Sequence, residues 1–167
     1  MFIFSGSLPL GLSPDTYQEC IRIVQSRGAQ AMLDTGGEPL KSGLKAQPFV
    51  VKLNIQEFIS VTGCPPRDDE ILSVLRQWNQ RGIRLAIITM GERGTWASLE
   101  GKAYRINPPS IRAVNPVGSG DAFLAGLGAA IYDGTDLYEA LTQATAIASS
   151  NALHARAGEI SPKHIEQ

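Results

Sequence analysis

Residues 83–90 read IRLAIITM, an apolar run without the polar alternation of a strand that keeps one face in water. Such a run suits a central strand covered on both faces, and that arrangement belongs to parallel sheets flanked by helices. The rest of the chain supplies matching parts. MFIF reads as a short strand, and SPDTYQECIRIVQSRG as a helix with Ser13 at the N-cap, Pro14 at the first helical position and Gly28 as the stop. AQAMLD and PFVVKL read as the next two strands, and the glycine-containing TGGEPLKSGLKAQ between them has room for a helical turn. A short helix from Ile55 and a longer one through RDDEILSVLRQWNQRG lead into the apolar run. After Gly94, TWASLEGKAYRI predicts a hairpin turning at Glu100 and Gly101, and SIRAV predicts one more strand. Two helices close the pattern, Asp121 to about Tyr132 and Leu137 to about Leu153, broken at DGTD. A β-α-β-α-β succession ending in a helical pair predicts an α/β layered domain with a largely parallel sheet.

Length and charge narrow the function. The 167 residues suffice for one domain with a real core, so a single domain over residues 1–167 is expected. Fifteen basic against 16 acidic residues give a net charge of -1, which offers nothing to a nucleic acid or an anionic membrane surface. Cys20 and Cys64 have no C-x-x-C spacing and join no cluster with His154 or His164. That pattern favours a reducing compartment without a zinc site. No run approaches the roughly 18 apolar residues of a membrane span, and the first residues lack a basic leader, so a cytoplasmic protein is expected.

The stretch NPVGSGDAFLAGLGAA carries the chemistry. Gly118 and Gly120 let the backbone turn tightly and let a ligand come close. The helix starting there points free N–H groups and its positive dipole end at whatever sits in front, which suits an anion. Ser119 or Asp121 capping an ordinary helix is the structural alternative. The following AFLAGLGAAIY is apolar on every side, which predicts burial all round and puts Asp121 at the floor of a cleft. A carboxylate there can accept a proton from a hydroxyl while adjacent N–H groups hold a phosphoryl group in transfer. Other nucleotide signatures fail: the sixth position of a dinucleotide fingerprint falls on Phe123, and no G-K-[ST] tripeptide occurs.

These residues resemble the ribokinase-like, or PfkB, carbohydrate kinases. NPVGSGDAFLAG is similar to the family's C-terminal signature, KLNIQE to its K-P-N-x-x-E segment, TMGERG to its nucleotide loop, and SSNAL to a late helix whose Asn approaches the adenine. SGSLPLGLSPDTYQECI, LDTGGEPL and GEISP look most like the 1-phosphofructokinase and tagatose-6-phosphate kinase branch. The resemblance implies a three-layer ribokinase-like, Rossmann-like domain with ATP and Mg²⁺ at its site. Asp121 is then the base, and backbone N–H groups around Gly118, Ser119 and Gly120 form an anion hole. Asn54 and Glu57 organise Mg²⁺ and phosphate, partly through water. Thr89, Gly91 and Gly94 wrap the nucleotide, with Asn54 beside its phosphates and Asn151 beside its base. Without the family, Asn54 and Glu57 read equally as the capping box of a short helix. Trp78 and Trp96 read as packing residues, His154 as a surface residue near a helix end, and RDDE as a solvated helix start.

The sequence departs mildly from the family at Leu53, Met90 and Gly36, and seriously in length. Family members are considerably longer, and this chain opens at what resembles the middle of their domain. The first strands, the β-sheet lid, a G-G motif and most sugar contacts are expected in the unmatched portion. A bare sheet edge and an apolar patch then follow, with self-association or a complementing chain to cover them. Three readings result: an ATP-dependent kinase of a ketohexose monophosphate such as fructose 1-phosphate or tagatose 6-phosphate, a remnant that only binds nucleotide, or a kinase of another small alcohol.

Overall fold

Strands β1 (Phe2–Ser5), β2 (Ala31–Asp34), β3 (Val50–Asn54) and β4 (Leu85–Thr89) lie side by side in chain order and run parallel. The computed structural model describes residues 1–63 and 67–164; Cys64 and the side chain of His164 lie outside that part. Strands β5 (Thr95–Leu99) and β6 (Lys102–Ile106) complete a six-stranded sheet. Glu100 and Gly101 join them with φ of 50° and 89°, the conformation of a two-residue hairpin turn, so this last pair is antiparallel as the sequence predicts.

Helices α1 (Thr16–Ser26), α2 (Gly37–Gly43), α3 (Ile55–Thr62) and α4 (Asp68–Gln80) connect the parallel strands. Helix α1 starts two residues later than its signals imply. Ser13 Oγ accepts the Asp15 N–H at 3.2 Å and Thr16 Oγ1 donates to the Ser13 carbonyl at 2.7 Å, so Ser13 and Pro14 form a turn ahead of the helix. Helix α4 begins on Arg67 with Asp68, Asp69 and Glu70 in its first turn, where acidic side chains suit the dipole.

The chain divides into two compact units: Met1–Met90 with Trp96–Arg105, and Gly91–Thr95 with Ile106–Gln167. The first unit holds the sheet. Leu33, Val51, Leu53, Ala86 and Ile88 point from one face of β2, β3 and β4 into a core shared with Ile21, Leu40, Phe58, Ile71, Leu75 and Trp78 from the helices. Each fully buried Leu, Ile or Phe contributes about 1.5–3 kcal/mol relative to exposure. Met32, Val50, Leu85 and Ile87, the alternate residues of the same strands, are buried as well. Burial on both faces is what the uninterrupted apolar run requires. Trp96 packs against the same core with the Arg105 guanidinium 4.8 Å over its ring. Strand β1 forms one edge, and its Phe2 and Ile3 are 53% and 42% exposed.

The second unit is built on α5 (Ser119–Tyr132) and α6 (Leu137–Ala152). Four residues join the helices, with Thr135 N–H returning to the Ala130 carbonyl at 3.0 Å and Asp136 capping α6 through the Tyr138 N–H at 2.9 Å. So short a connection makes them antiparallel neighbours. They pack tightly at Gly126, where a Cβ would stand 2.5 Å from Ile147 Cδ1.

Two expectations fail in this unit. Residues 110–114 form no strand, because the Val114 and Asn115 N–H groups both bond the Ala152 carbonyl at the end of α6, at 2.7 and 3.1 Å, and not a neighbouring strand. Helix α5 is not buried all round. Asp121, Ala125, Ala129 and Tyr132, spaced as one stripe of the helix, are exposed while Phe123, Leu124 and Leu127 are buried. Among the described residues no helix is long and apolar enough to cross a membrane.

Candidate functional site

The first cluster forms at the carboxyl ends of the parallel strands, where open α/β sheets place their ligands. In register, Asn54 ends β3 directly opposite Thr89 at the end of β4. Asn54 leaves the strand with φ -84° and ψ 168° and caps α3. Its Oδ1 accepts the N–H groups of Gln56 and Glu57 at 2.9 and 3.0 Å, and Glu57 Oε2 accepts the Asn54 N–H at 2.8 Å. The capping box is therefore real. It consumes Asn54 Oδ1 and Glu57 Oε2, while Asn54 Nδ2 and Glu57 Oε1 have no partner among the described residues. Gly36 brings its loop against the Glu57 stem, since a Cβ there would stand 3.4 Å from Glu57 Cγ. Thr89 Oγ1 donates back to the Leu53 carbonyl at 3.3 Å, tying the two strand ends together.

Sequence reasoning missed the group beneath this cluster. Lys52 Nζ donates to Asp34 Oδ2 at 2.7 Å, and the two residues are only 3% and 7% exposed. A buried ion pair owes its geometry to its partners, because each charge has left water. The signal was present: VVKLN alternates, so Lys52 shares a face with Val50 in a strand that has no solvent side. Among the described residues no group of three or more His, Cys, Asp or Glu could hold a metal by itself. A groove of about 700 Å³, lined by Lys41, Lys45, Val74, Trp78 and Arg81 among others, contains none of the predicted site residues.

The second cluster belongs to the second unit. Gly91 opens a 3-10 turn, and Gly94 follows with φ 85°. Any Cβ at Gly94 would overlap the Ile106 carbonyl, so glycine is required there. Gly118, with φ 83°, is the N-cap of α5. The Ser119 N–H is taken by the Pro116 carbonyl at 3.2 Å, which removes it from the expected set of three anion-binding N–H groups. Those of Gly118 and Gly120 have no acceptor among the described residues. The turn is braced on its other side. Asn115 Oδ1 accepts the Val117 N–H at 3.0 Å, Asn115 Nδ2 donates to the Ala155 carbonyl at 2.9 Å, and a Cβ on Gly118 would stand 3.0 Å from that of Ala157.

Asp121 lies in the first turn of α5 and is exposed, in contrast to the cleft floor expected for it. The cause is the open stripe of small residues that continues from it along the helix. Asn151 departs further from expectation. It is 0% exposed, and its amide donates to the Val117 carbonyl at 2.9 Å and Ser119 Oγ at 3.0 Å while accepting the Gly158 N–H at 2.7 Å. An amide so enclosed offers nothing to an adenine. His154, just past α6, faces Glu159 with Nδ1 to Oε1 at 3.5 Å.

The buried pair yields a stability prediction. Lys52→Met leaves the Asp34 carboxylate buried without its ammonium and should cost about 3–5 kcal/mol. Lys52→Met with Asp34→Leu should recover most of that loss, as read from urea midpoints; a single variant as stable as the parent would show that the pair does not hold the strand ends.

Comparison with known proteins shows the family and the fold. The model of the pfkB family carbohydrate kinases matches residues 1–164. A tagatose-6-phosphate kinase of Staphylococcus epidermidis is 31% identical over 169 residues, 99% of this chain and 54% of that protein. Escherichia coli phosphofructokinase-2 in complex with potassium superposes with a TM-score of 0.91 at 20% identity, over 98% of this chain and 54% of its own. Arabidopsis thaliana ribokinase complexed with ribose and ATP superposes with a TM-score of 0.79 at 22% identity, over 93% of this chain and 50% of its own. The chain thus spans about half the length of the relatives it matches. The fold is the three-layer α/β fold of ribokinase-like kinases, and the chain belongs to the pfkB family of carbohydrate kinases.

Proposed function

We propose that this chain is the nucleotide-binding portion of an ATP-dependent kinase acting on a ketohexose monophosphate such as tagatose 6-phosphate or fructose 1-phosphate. One observation carries the reading: the N–H groups of Gly118 and Gly120, without acceptors among the described residues, stand at the same helix start as the Asp121 carboxylate. The donors suit a phosphoryl group, helped by the positive end of α5. The carboxylate suits a sugar hydroxyl whose proton must leave as its oxygen attacks. The tagatose-6-phosphate kinase relative supports this substrate class.

In the first unit, Asn54 Nδ2 would donate to a phosphate oxygen and Glu57 Oε1 would hold the hard cation through water. One open carboxylate oxygen fits Mg²⁺, which keeps most of its waters and is commonly held by one or two carboxylates together with substrate phosphates. When bound, that ion neutralises charge between the phosphates. The capping box holds Glu57 in place for this work, so capping and binding use different atoms of the same two residues. Of the residues that the family resemblance assigns to the nucleotide, Thr89 ends β4 in the first unit, and Gly91 and Gly94 belong to the 91–95 loop of the second. The uncovered flank of β1 fits a further strand from a second copy or a complementing chain. The exposure of Asp121 favours a second reading, in which the chain binds nucleotide without turnover, because transfer needs water excluded.

Saturating MgATP should raise the melting temperature, with about 2.7 kcal/mol of stabilisation at a hundred times Kd; an unmoved transition would remove the phosphate site. ADP release in the presence of tagatose 6-phosphate or fructose 1-phosphate separates kinase from binder. Where turnover occurs, Asp121→Asn should lower it by roughly 10²–10⁴-fold with nucleotide affinity retained, and undiminished turnover would sink the base assignment. Light scattering should give a molar mass above the 17.9 kDa of one chain if β1 pairs with a second copy, whereas a monomer leaves the complementing chain.

A further inference from the structure

The Asn151 amide cannot be turned over. The Gly158 N–H can only donate and the Val117 carbonyl can only accept, so Oδ1 must face Gly158 and Nδ2 must face Val117. The second Nδ2 proton then points at Ser119 Oγ, 3.0 Å away, and the hydroxyl is the acceptor in that bond. A serine hydroxyl has one proton, and Ser119 donates it to no group among the described residues. Helix capping does not explain this serine. The N-cap is Gly118, and no side-chain cap bond is made at this end of α5. Asn151 is 0% exposed and its amide fills one lone pair of Ser119 Oγ, while the hydroxyl proton has no acceptor among the described residues and Ser119 stands in the chain between the two glycines whose N–H groups are open.

We infer that the Ser119 hydroxyl, aimed by Asn151, is a third donor of the phosphoryl site beside the N–H groups of Gly118 and Gly120. This rests on the anion-site reading above. Ser119 touches the terminal phosphoryl group of the nucleotide; Asn151 is a positioning residue that acts through it. The hydroxyl replaces the Ser119 backbone donor, which Pro116 has already taken.

Affinities of this chain for MgATP and MgADP, by calorimetry, test the inference. Ser119→Ala should weaken MgATP by about tenfold and MgADP by less than about twofold, since one hydrogen bond to a charged group is lost on the terminal phosphate alone. Ser119→Thr restores a hydroxyl and should recover the ratio. In Asn151→Asp the carboxylate only accepts, so it draws the Ser119 proton inward, and the ATP-to-ADP ratio should fall as in Ser119→Ala. Combining the two changes should add no further loss in that ratio. A purely structural role would weaken both nucleotides equally. An unchanged ratio in Ser119→Ala overturns the inference while leaving the anion site standing, and failure of the parent chain to bind either nucleotide overturns both. If Asn151→Asp does not fold, the Ala and Thr variants of Ser119 decide alone.

Discussion

The parallel register of β3 on β4 is the constraint on which the first cluster depends. Because Asn54 pairs across from Thr89, both strands end at one level, and the chain must leave each of them there. At β3 it leaves into a helix whose first N–H groups need acceptors, and Asn54 supplies one. A slip of one residue would turn Lys52 to the other face of β3 and break its bond to Asp34. The buried ion pair and the register therefore support each other. The charge pair has its geometry only in this alignment, and the alignment leaves no solvent to which either charge could escape.

The same thrift governs the glycine turn. Pro116, Val117, Gly118 and Ser119 spend their polar groups on Asn115, Asn151 and the start of α5, and the N–H groups of Gly118 and Gly120 and the Ser119 hydroxyl proton find no acceptor among the described residues. Open donors stand out here because their neighbours' polar groups are satisfied within the turn.

Much of this was legible in the sequence. The apolar run IRLAIITM announced a strand with no wet face, and Glu100-Gly101 announced a hairpin, because in both cases local composition dictates the geometry. Residues 110–114 misled because β-branched composition says nothing about which acceptor the backbone will find; here the acceptor was the end of a helix 38 residues on from Val114, at Ala152. Helix α5 misled for a related reason. Apolar composition all round predicts burial, yet Ala125 and Ala129 are small enough to lie open at little cost. Asn54 and Glu57 could be read as a cap or as ligands, and only coordinates show the two oxygens that serve the cap and the two atoms left over. The role of Asn151 was hidden most completely, since it depends on three partners at 117, 119 and 158 that no spacing rule links.

The division of the chain has a consequence for its inheritance. The loop Gly91–Thr95 belongs to the second unit although strands of the first flank it on both sides, so the polypeptide passes from one unit to the other after Met90, after Thr95 and after Arg105. No single cut in the coding sequence releases either unit whole. A recombination event that carries off the glycine turn at 118–120 must leave the 91–95 loop behind, or take with it strands that the first unit cannot lose. Each unit thus owns a segment that lies inside the other's stretch of sequence, and neither can be excised as one continuous piece.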